Sequence, residues 1–183
     1  MPATADTDRA IGDSTAVASH RTRSDDIEYA VRQLVEVAVR ALSPGINDPH
    51  IAISVLDRLG AALCDLDTLT LPNGVANREG RTCLIVHSVE YDGLTDTMFH
   101  LIRQNAQHSA TVLIPALEVL TAVASVERDP TRLRTLRRHA DLILADGRRN
   151  IEAIEDARDL GRRHTCFLEM VSGRPITALF VDH

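Results

Sequence analysis

The sequence predicts a mainly α-helical bundle of about five helices, with a small β-hairpin or extended excursion between the second and third. Three observations carry that prediction. Apolar residues recur at 3–4 spacing along most of the chain. Asp48-Pro49 and Asp129-Pro130 each open a periodic stretch as a capping carboxylate followed by proline at the first helical position. Between the second and third stretches, Pro72-Asn73-Gly74 and Glu79-Gly80 interrupt the helical period. With 183 residues, 44% hydrophobic and 25% charged, the chain suits one globular domain.

Residues 1–23 (MPATADTDRAIGDSTAVASHRTR) show no sustained periodicity and are expected to form a flexible leader. A helical domain is expected over residues 24–165 and a C-terminal arm over 166–183. Ser24-Asp25-Asp26 offers a cap for the first helix, whose apolar face holds Ile27, Val31, Leu34, Val35, Ala38, Ala41 and Leu42. Glu28, Arg32, Glu36 and Arg40 form an i,i+4 ladder on another face. Pro44 and Gly45 stop this helix. The second, from Asp48-Pro49, has Ile51, Val55, Leu59, Ala62, Leu63 and Leu66 as the apolar positions of an amphipathic helix, and the short connection predicts an antiparallel pair.

Leu69-Thr70-Leu71 and Thr82 to Val86 are the expected strands. A third helix is predicted from about Asp92 to Gln107. A fourth runs from Ser109 to about Val126, with Pro115 inside its early turns or kinking it. Leu133, Leu136, Ala140, Ile143, Gly147, Ile151, Ile154 and Ala157 then keep a 3–4 spacing, which predicts one long helix of about eight turns. Its narrow apolar seam suits coiled-coil-like packing and motivates self-association. The apolar stretch Ile176 to Val181, after Pro175, is expected to dock as a strand or arm.

Composition excludes several chemistries. All 20 basic residues are arginine, so Schiff-base chemistry, a pyridoxal anchor and a P-loop lysine are absent. There is no Gly-x-Ser-x-Gly elbow, Gly-x-Gly-x-x-Gly loop or His-Glu-x-x-His. Cys64, Cys83 and Cys166 lack metal or redox spacing and read as reduced thiols of a cytoplasmic protein. No cofactor is expected. A net charge of −6, no Trp, two Tyr and three Phe argue against nucleic acid as a partner. The stretch from Arg128 to Arg163 carries ten arginines against seven acids, so an acidic protein, including the acidic part of a second copy, is a possible partner. No 18-residue apolar run spans a bilayer, and no secretory signal is visible.

Two polar constellations are candidates for chemistry. Arg40, Ser43, Asn47, Asp48, His50, Asp57 and Arg58 gather around the first interhelix turn. A helix N-terminus attracts an anion, Arg40 adds a guanidinium, and Asp48 with His50 offers a proton-handling pair. The same residues also serve as caps and ion-pair partners, Arg40 with Glu36 or with Asp57. The second constellation is the column Asp96, His100, Gln104 and His108 at i,i+4 intervals, with His87 and Glu90 upstream. Asp96 and His100 are weak candidates for two metal ligands from one helix face. Neither a tight histidine pair nor a repeated Glu-x-x-His supports them, and a polar solvent face explains them equally.

The run Arg32-Gln33-Leu34-Val35-Glu36-Val37-Ala38-Val39-Arg40-Ala41-Leu42-Ser43-Pro44-Gly45-Ile46-Asn47-Asp48-Pro49 resembles the signature of a bacterial family of predicted membrane proteins, domain of unknown function 2254. The resemblance continues through Leu56-Asp57-Arg58-Leu59-Gly60-Ala61-Ala62-Leu63 and extends more loosely over about residues 25–145. It departs at Ile51, where members of the family often carry Thr. The family implies N-terminal membrane helices followed by a soluble helical region holding this turn, and no known reaction. The expectation is a stand-alone version of that region, working as a self-associating interaction or regulatory module. The alternative is a protein that binds a small anionic ligand, or an enzyme, with its site at the Ser43–His50 turn.

Overall fold

The computed structural model describes residues 27–67, 75–78, 81–85 and 90–173. The expected leader, the cap at Ser24–Asp26, the strand at Leu69–Leu71, His87 and the apolar stretch Ile176–Val181 lie outside them. The described residues are mainly helical. Their six helices are, in order, α1 (Ile27–Ala41), α2 (Pro49–Asp67), α3 (Tyr91–Asn105), α4 (Ala110–Val126), α5 (Pro130–Asn150) and α6 (Ile154–Val171). Between α2 and α3, β1 (Val75–Arg78) pairs antiparallel with β2 (Arg81–Ile85), Val75 opposite Ile85 and Arg78 opposite Arg81.

The core is built around α4. Glu118 is its one ionised side chain, so it can be enclosed on several sides. It packs against α2, α5 and α6, burying Val112, Leu113, Leu117, Leu120 and Val123 almost completely. Pro115 lies in its second turn and the helix continues through it. From α2 come Leu56, Leu59 and Leu63, and from α3 Leu94, Met98, Phe99 and Ile102.

Helix starts reflect local chemistry. Asp129 caps α5 by accepting from the Thr131 N–H at 2.7 Å, with Pro130 in the first turn. That hydrogen bond is the main reason the Asp129 carboxyl lies below its ordinary pKa. Just before it, the buried Glu127 folds back so that Oε1 accepts from the N–H groups of Arg128 (2.9 Å) and Asp129 (2.8 Å). Its Oε2 faces Arg132 at 3.7 Å. The Arg132 guanidinium also stacks 4.9 Å over the Tyr91 ring and donates to the Leu66 carbonyl at 3.4 Å. One arginine thus ties together α2, α3 and the α4–α5 corner.

The structure corrects the long C-terminal helix. Continuous periodicity from Leu133 to Ala157 predicts one helix, but the chain breaks at residues 151–153 and starts again as α6. The Asn150 carbonyl accepts from His108 Nδ1–H at 3.3 Å instead of from the next turn, and Asn150 Nδ2 donates to the Asp146 carbonyl at 2.9 Å. Ile151 N–H closes α5 on the Gly147 carbonyl at 2.9 Å. The helix count therefore rises from the expected five to six. Of the seam offered for self-association, Leu136, Ala140 and Ile143 are each 0% exposed within the monomer, whereas Ile154 is 70% exposed. Helix α6 also runs on to Val171, so Cys166 to Val171 are helical and do not belong to an arm.

Two glycines set how closely helices approach. A Cβ at Gly147 would overlap the buried Leu160 Cδ2 and come within 3.2 Å of Ile151 Cδ1. A Cβ at Gly60 would overlap Val119 Cγ1. Gly93, by contrast, has open space around it. Overpacking costs about 1–3 kcal/mol, which outweighs the ~1 kcal/mol helix-propensity gain of alanine where the space is closed. Gly147→Ala is therefore expected to lower the urea midpoint, whereas Gly93→Ala raises stability by about 0.5–1 kcal/mol. Equal shifts for both variants would contradict the close α5–α6 contact.

Candidate functional site

The first constellation occupies the connection from Leu42 to Asp48. The Asp48 N–H donates to the Ala41 carbonyl at 2.8 Å and Ser43 Oγ to the Arg40 carbonyl at 2.7 Å. Asn47 adopts a left-handed φ of 50°, which short polar side chains tolerate best. Asp48 caps α2: its Oδ1 accepts from the N–H of His50 (3.0 Å) and of Ile51 (3.4 Å). The carboxylate thus takes the position an anionic ligand would seek at this helix terminus. Arg40 pairs with Glu36 at 2.5 Å and Arg32 with Glu28 at 3.4 Å, as the i,i+4 ladder requires. His50 is exposed, and its carbonyl accepts from Ser54 Oγ at 2.9 Å. Asp57 is exposed two turns along α2, with no hydrogen bond or ion pair to the turn among the described residues.

The second constellation is tied to a helix that its local spacing does not reveal. Asp96 Oδ1 accepts from Arg138 Nη2 at 2.6 Å and lies 3.0 Å from His139 Nε2. His100 is exposed, and its Nδ1 accepts from Arg103 Nη2 at 3.4 Å. Arg103 in turn pairs with Asp146, both side chains nearly buried. No group of three or more His, Cys, Asp or Glu comes together around a possible metal ion among the described residues.

These contacts form a ladder. Thr135 donates to Asp92, Arg138 to Asp96, Arg103 to Asp146, and Asn150 to Gln107 (3.5 Å). Every pair is separated by 42 or 43 residues. A constant difference in number means that α3 and α5 run parallel and in register. The partners Arg138, His139 and Asp146 escaped the sequence reading because each sits a whole helix away. The recurrence of complementary residues at that offset was the signal available.

His139 is the most unusual group of the ladder. Its side chain is fully buried against Phe99, ring centroids 5.6 Å apart. Nε2 lies 3.0 Å from Asp96 Oδ1 and 3.5 Å from Arg138 Nη2, which can donate to it, and Nδ1 has no hydrogen-bond partner. Burial, reinforced by the Arg138 cation and only partly offset by Asp96, lowers its pKa from 6.5 to about 4. It is a neutral imidazole at physiological pH. A second histidine contact, His164 Nε2 to Asp141 Oδ1 at 2.7 Å, links α6 to α5.

Asp96 also reaches a surface cleft. The cleft, about 660 Å³, lies between α1 and α3. Arg32, Val35, Glu36 and Val39 line it from α1, and Asp96, Thr97, His100 and Leu101 from α3. Leu101 is 49% exposed there. The arrangement offers an apolar strip between charges of both signs and no assembled nucleophile with its base.

Fold and surface together define a helical module with an open two-helix face. Residues 2–122 match the model of a family described as predicted membrane proteins, domain of unknown function 2254, and the chain belongs to that family. Uncharacterized proteins from Mycobacterium bovis and from two strains of Mycobacterium tuberculosis are each 36% identical to it over 116 residues. The aligned region is 61% of this chain and 22% of theirs, so the chain spans about a fifth of the length of these curated relatives. No solved structure matches it. No helix among the described residues is long and apolar enough to cross a membrane.

Capping and burial each set an expected outcome. Asp48→Ala removes the α2 cap and is expected to cost about 1 kcal/mol in urea unfolding; an unchanged midpoint would remove the capping role. For His139, the folded pKa of about 4 lies below the ordinary 6.5, so between those values the unfolded chain binds the proton that the native state refuses. Its contribution is complete above about pH 6.5 and is lost as pH falls towards 4, by up to about 3 kcal/mol. Urea midpoints measured from pH 7 to 4 should fall less steeply in His139→Leu than in the parent. Parallel curves would show that His139 is not the responsible group.

Proposed function

We propose that this chain acts as a helical interaction module, the extramembranous portion of its predicted-membrane-protein family, and that it pairs with a second copy through the α1–α3 face. The observation that carries the reading is the cleft between these helices, where half-exposed Leu101 flanks an apolar strip lined by Val35 and Val39. Arg32 and Glu36 from α1 and Asp96 and His100 from α3 place both signs of charge on one face. A two-fold interface needs such self-complementarity, because each copy presents the same patch. Both helices lie inside the stretch matched by the family.

The scale of the face sets the expected strength. Helices of 15 residues are about 22 Å long, and two side by side are about 20 Å wide. Such a face buries on the order of 500 Å² per partner, or about 1,000 Å² in total, the range of transient pairs. Pairing should therefore depend on concentration. Sedimentation velocity across a concentration series is expected to show reversible dimers that Leu101→Asp abolishes. Val37→Asp, on the outward side of α1, should leave them intact. A monomer at all concentrations, or equal effects of both variants, would overturn the reading.

A further inference from the structure

The charged residues of α1 follow a pattern that reads the same from either end with the signs exchanged. Glu28, Arg32, Glu36 and Arg40 stand four residues apart and form one row along the helix surface. Within the chain they make two separate pairs, Arg32 with Glu28 at 3.4 Å and Arg40 with Glu36 at 2.5 Å. Among the described residues no ion pair joins Arg32 to Glu36, so the row is open at its middle. That gap is also the middle of the helix, because Leu34 lies midway between Ile27 and Ala41. Arg32 and Glu36 are 57% and 51% exposed and keep free directions for further contacts.

Pairing within the chain accounts for helix support, and it leaves open why the row lies where it does. Arg32 and Glu36 line the α1–α3 cleft together with Val35 and Val39, and Leu101 lines it from α3. Residues four apart form the ridges by which helices interlock, and two such ridges align when the helices cross at about 50°. A second α1 can lie along this ridge in two directions. Parallel, Glu28 meets Glu28 and Arg32 meets Arg32, and every contact joins like charges. Antiparallel about a two-fold axis at Leu34, Glu28 lies opposite the partner's Arg40 and Arg32 opposite the partner's Glu36. Each of these contacts occurs twice by symmetry. Exposed ion pairs add little strength, whereas like charges set against each other are strongly disfavoured. The row therefore selects a direction, and the apolar strip beside it supplies the burial.

We propose that two copies pair with their α1 helices antiparallel about a two-fold axis at Leu34, Arg32 of each copy meeting Glu36 of the other. This rests on pairing through the α1–α3 face and adds the orientation of the partner. The two short ladders then join across the axis into one alternating row. Because a two-fold contact covers the same face on both copies, assembly stops at two.

The test is sedimentation velocity of the full chain, comparing the parent with Arg32→Glu, Glu36→Arg and the variant carrying both. Both positions are exposed, and far-UV circular dichroism checks that the helices stay formed. Each single substitution sets like charges opposite one another twice and is expected to weaken the dimer at least about tenfold. The combined variant exchanges the two signs, restores both contacts of the antiparallel pair and should return to within about threefold of the parent. Singles that leave the dimer unchanged, or a combined variant as weak as the singles, would overturn the antiparallel arrangement. Loss of the same dimer in Leu101→Asp would then show that the α1–α3 face still pairs, in another orientation. A parent that stays monomeric at every concentration would remove the pairing itself and this proposal with it.

Discussion

The register between α3 and α5 is the constraint on which the bundle depends, and the Arg103–Asp146 pair is its centre. Both side chains are nearly buried, 9% and 13% exposed, so sliding one helix past the other would strand two charges away from water. Such a pair adds little net stability over an apolar contact, but a misaligned one costs several kcal/mol. It therefore specifies register more than it contributes affinity. Asp92–Thr135 below it and Gln107–Asn150 above it repeat the same offset. With α3 and α5 fixed, α4 must run back between their ends. The break at residues 151–153 then returns α6 along α4.

Much of this was legible in the sequence because it depends on local chemistry. Asp-Pro pairs placed the starts of α2 and α5, and Pro44-Gly45 placed the end of α1. Apolar spacing found most of the buried residues of α1 and α2, although Ile27 and Ile51, placed on the same faces, are 49% and 41% exposed. The break between α5 and α6 was hidden because no proline or glycine marks residues 151–153 and the apolar period continues across it. At the break the Asn150 carbonyl meets His108, 42 residues away and 3.3 Å distant, a contact that local spacing does not report. Periodicity reports which face is apolar, and it does not report what covers that face. For the same reason the Leu133–Ala157 seam looked like a surface for a second chain when α3, α4 and α6 already cover most of it.

The candidate site divides along the same line. The Ser43–His50 turn could be read residue by residue, since caps act over two or three positions. The Asp96–His100 column could be located but not understood. Its i,i+4 spacing describes one helix face, while its chemistry comes from Arg138, His139 and Arg103. With Asp96 Oδ1 accepting from Arg138 and lying 3.0 Å from His139, the carboxylate is engaged in holding α5.

That engagement gives Asp96 a double position. It lines the α1–α3 cleft on one side and touches a buried imidazole on the other. His139 Nε2 sits between Asp96 and Arg138, 3.0 and 3.5 Å away, while its Nδ1 has no hydrogen-bond partner and Phe99 packs against its ring. Any partner that drew Asp96 towards the cleft would have to break its hydrogen bond with Arg138. In reverse, Arg138 holds Asp96 against α5 and so keeps the charged edge of the cleft in one place. A surface kept in place by the core loses less conformational freedom on pairing than one built from free side chains. In the proposed pairing, the small α1–α3 face gains specificity in this way although the area it offers is modest.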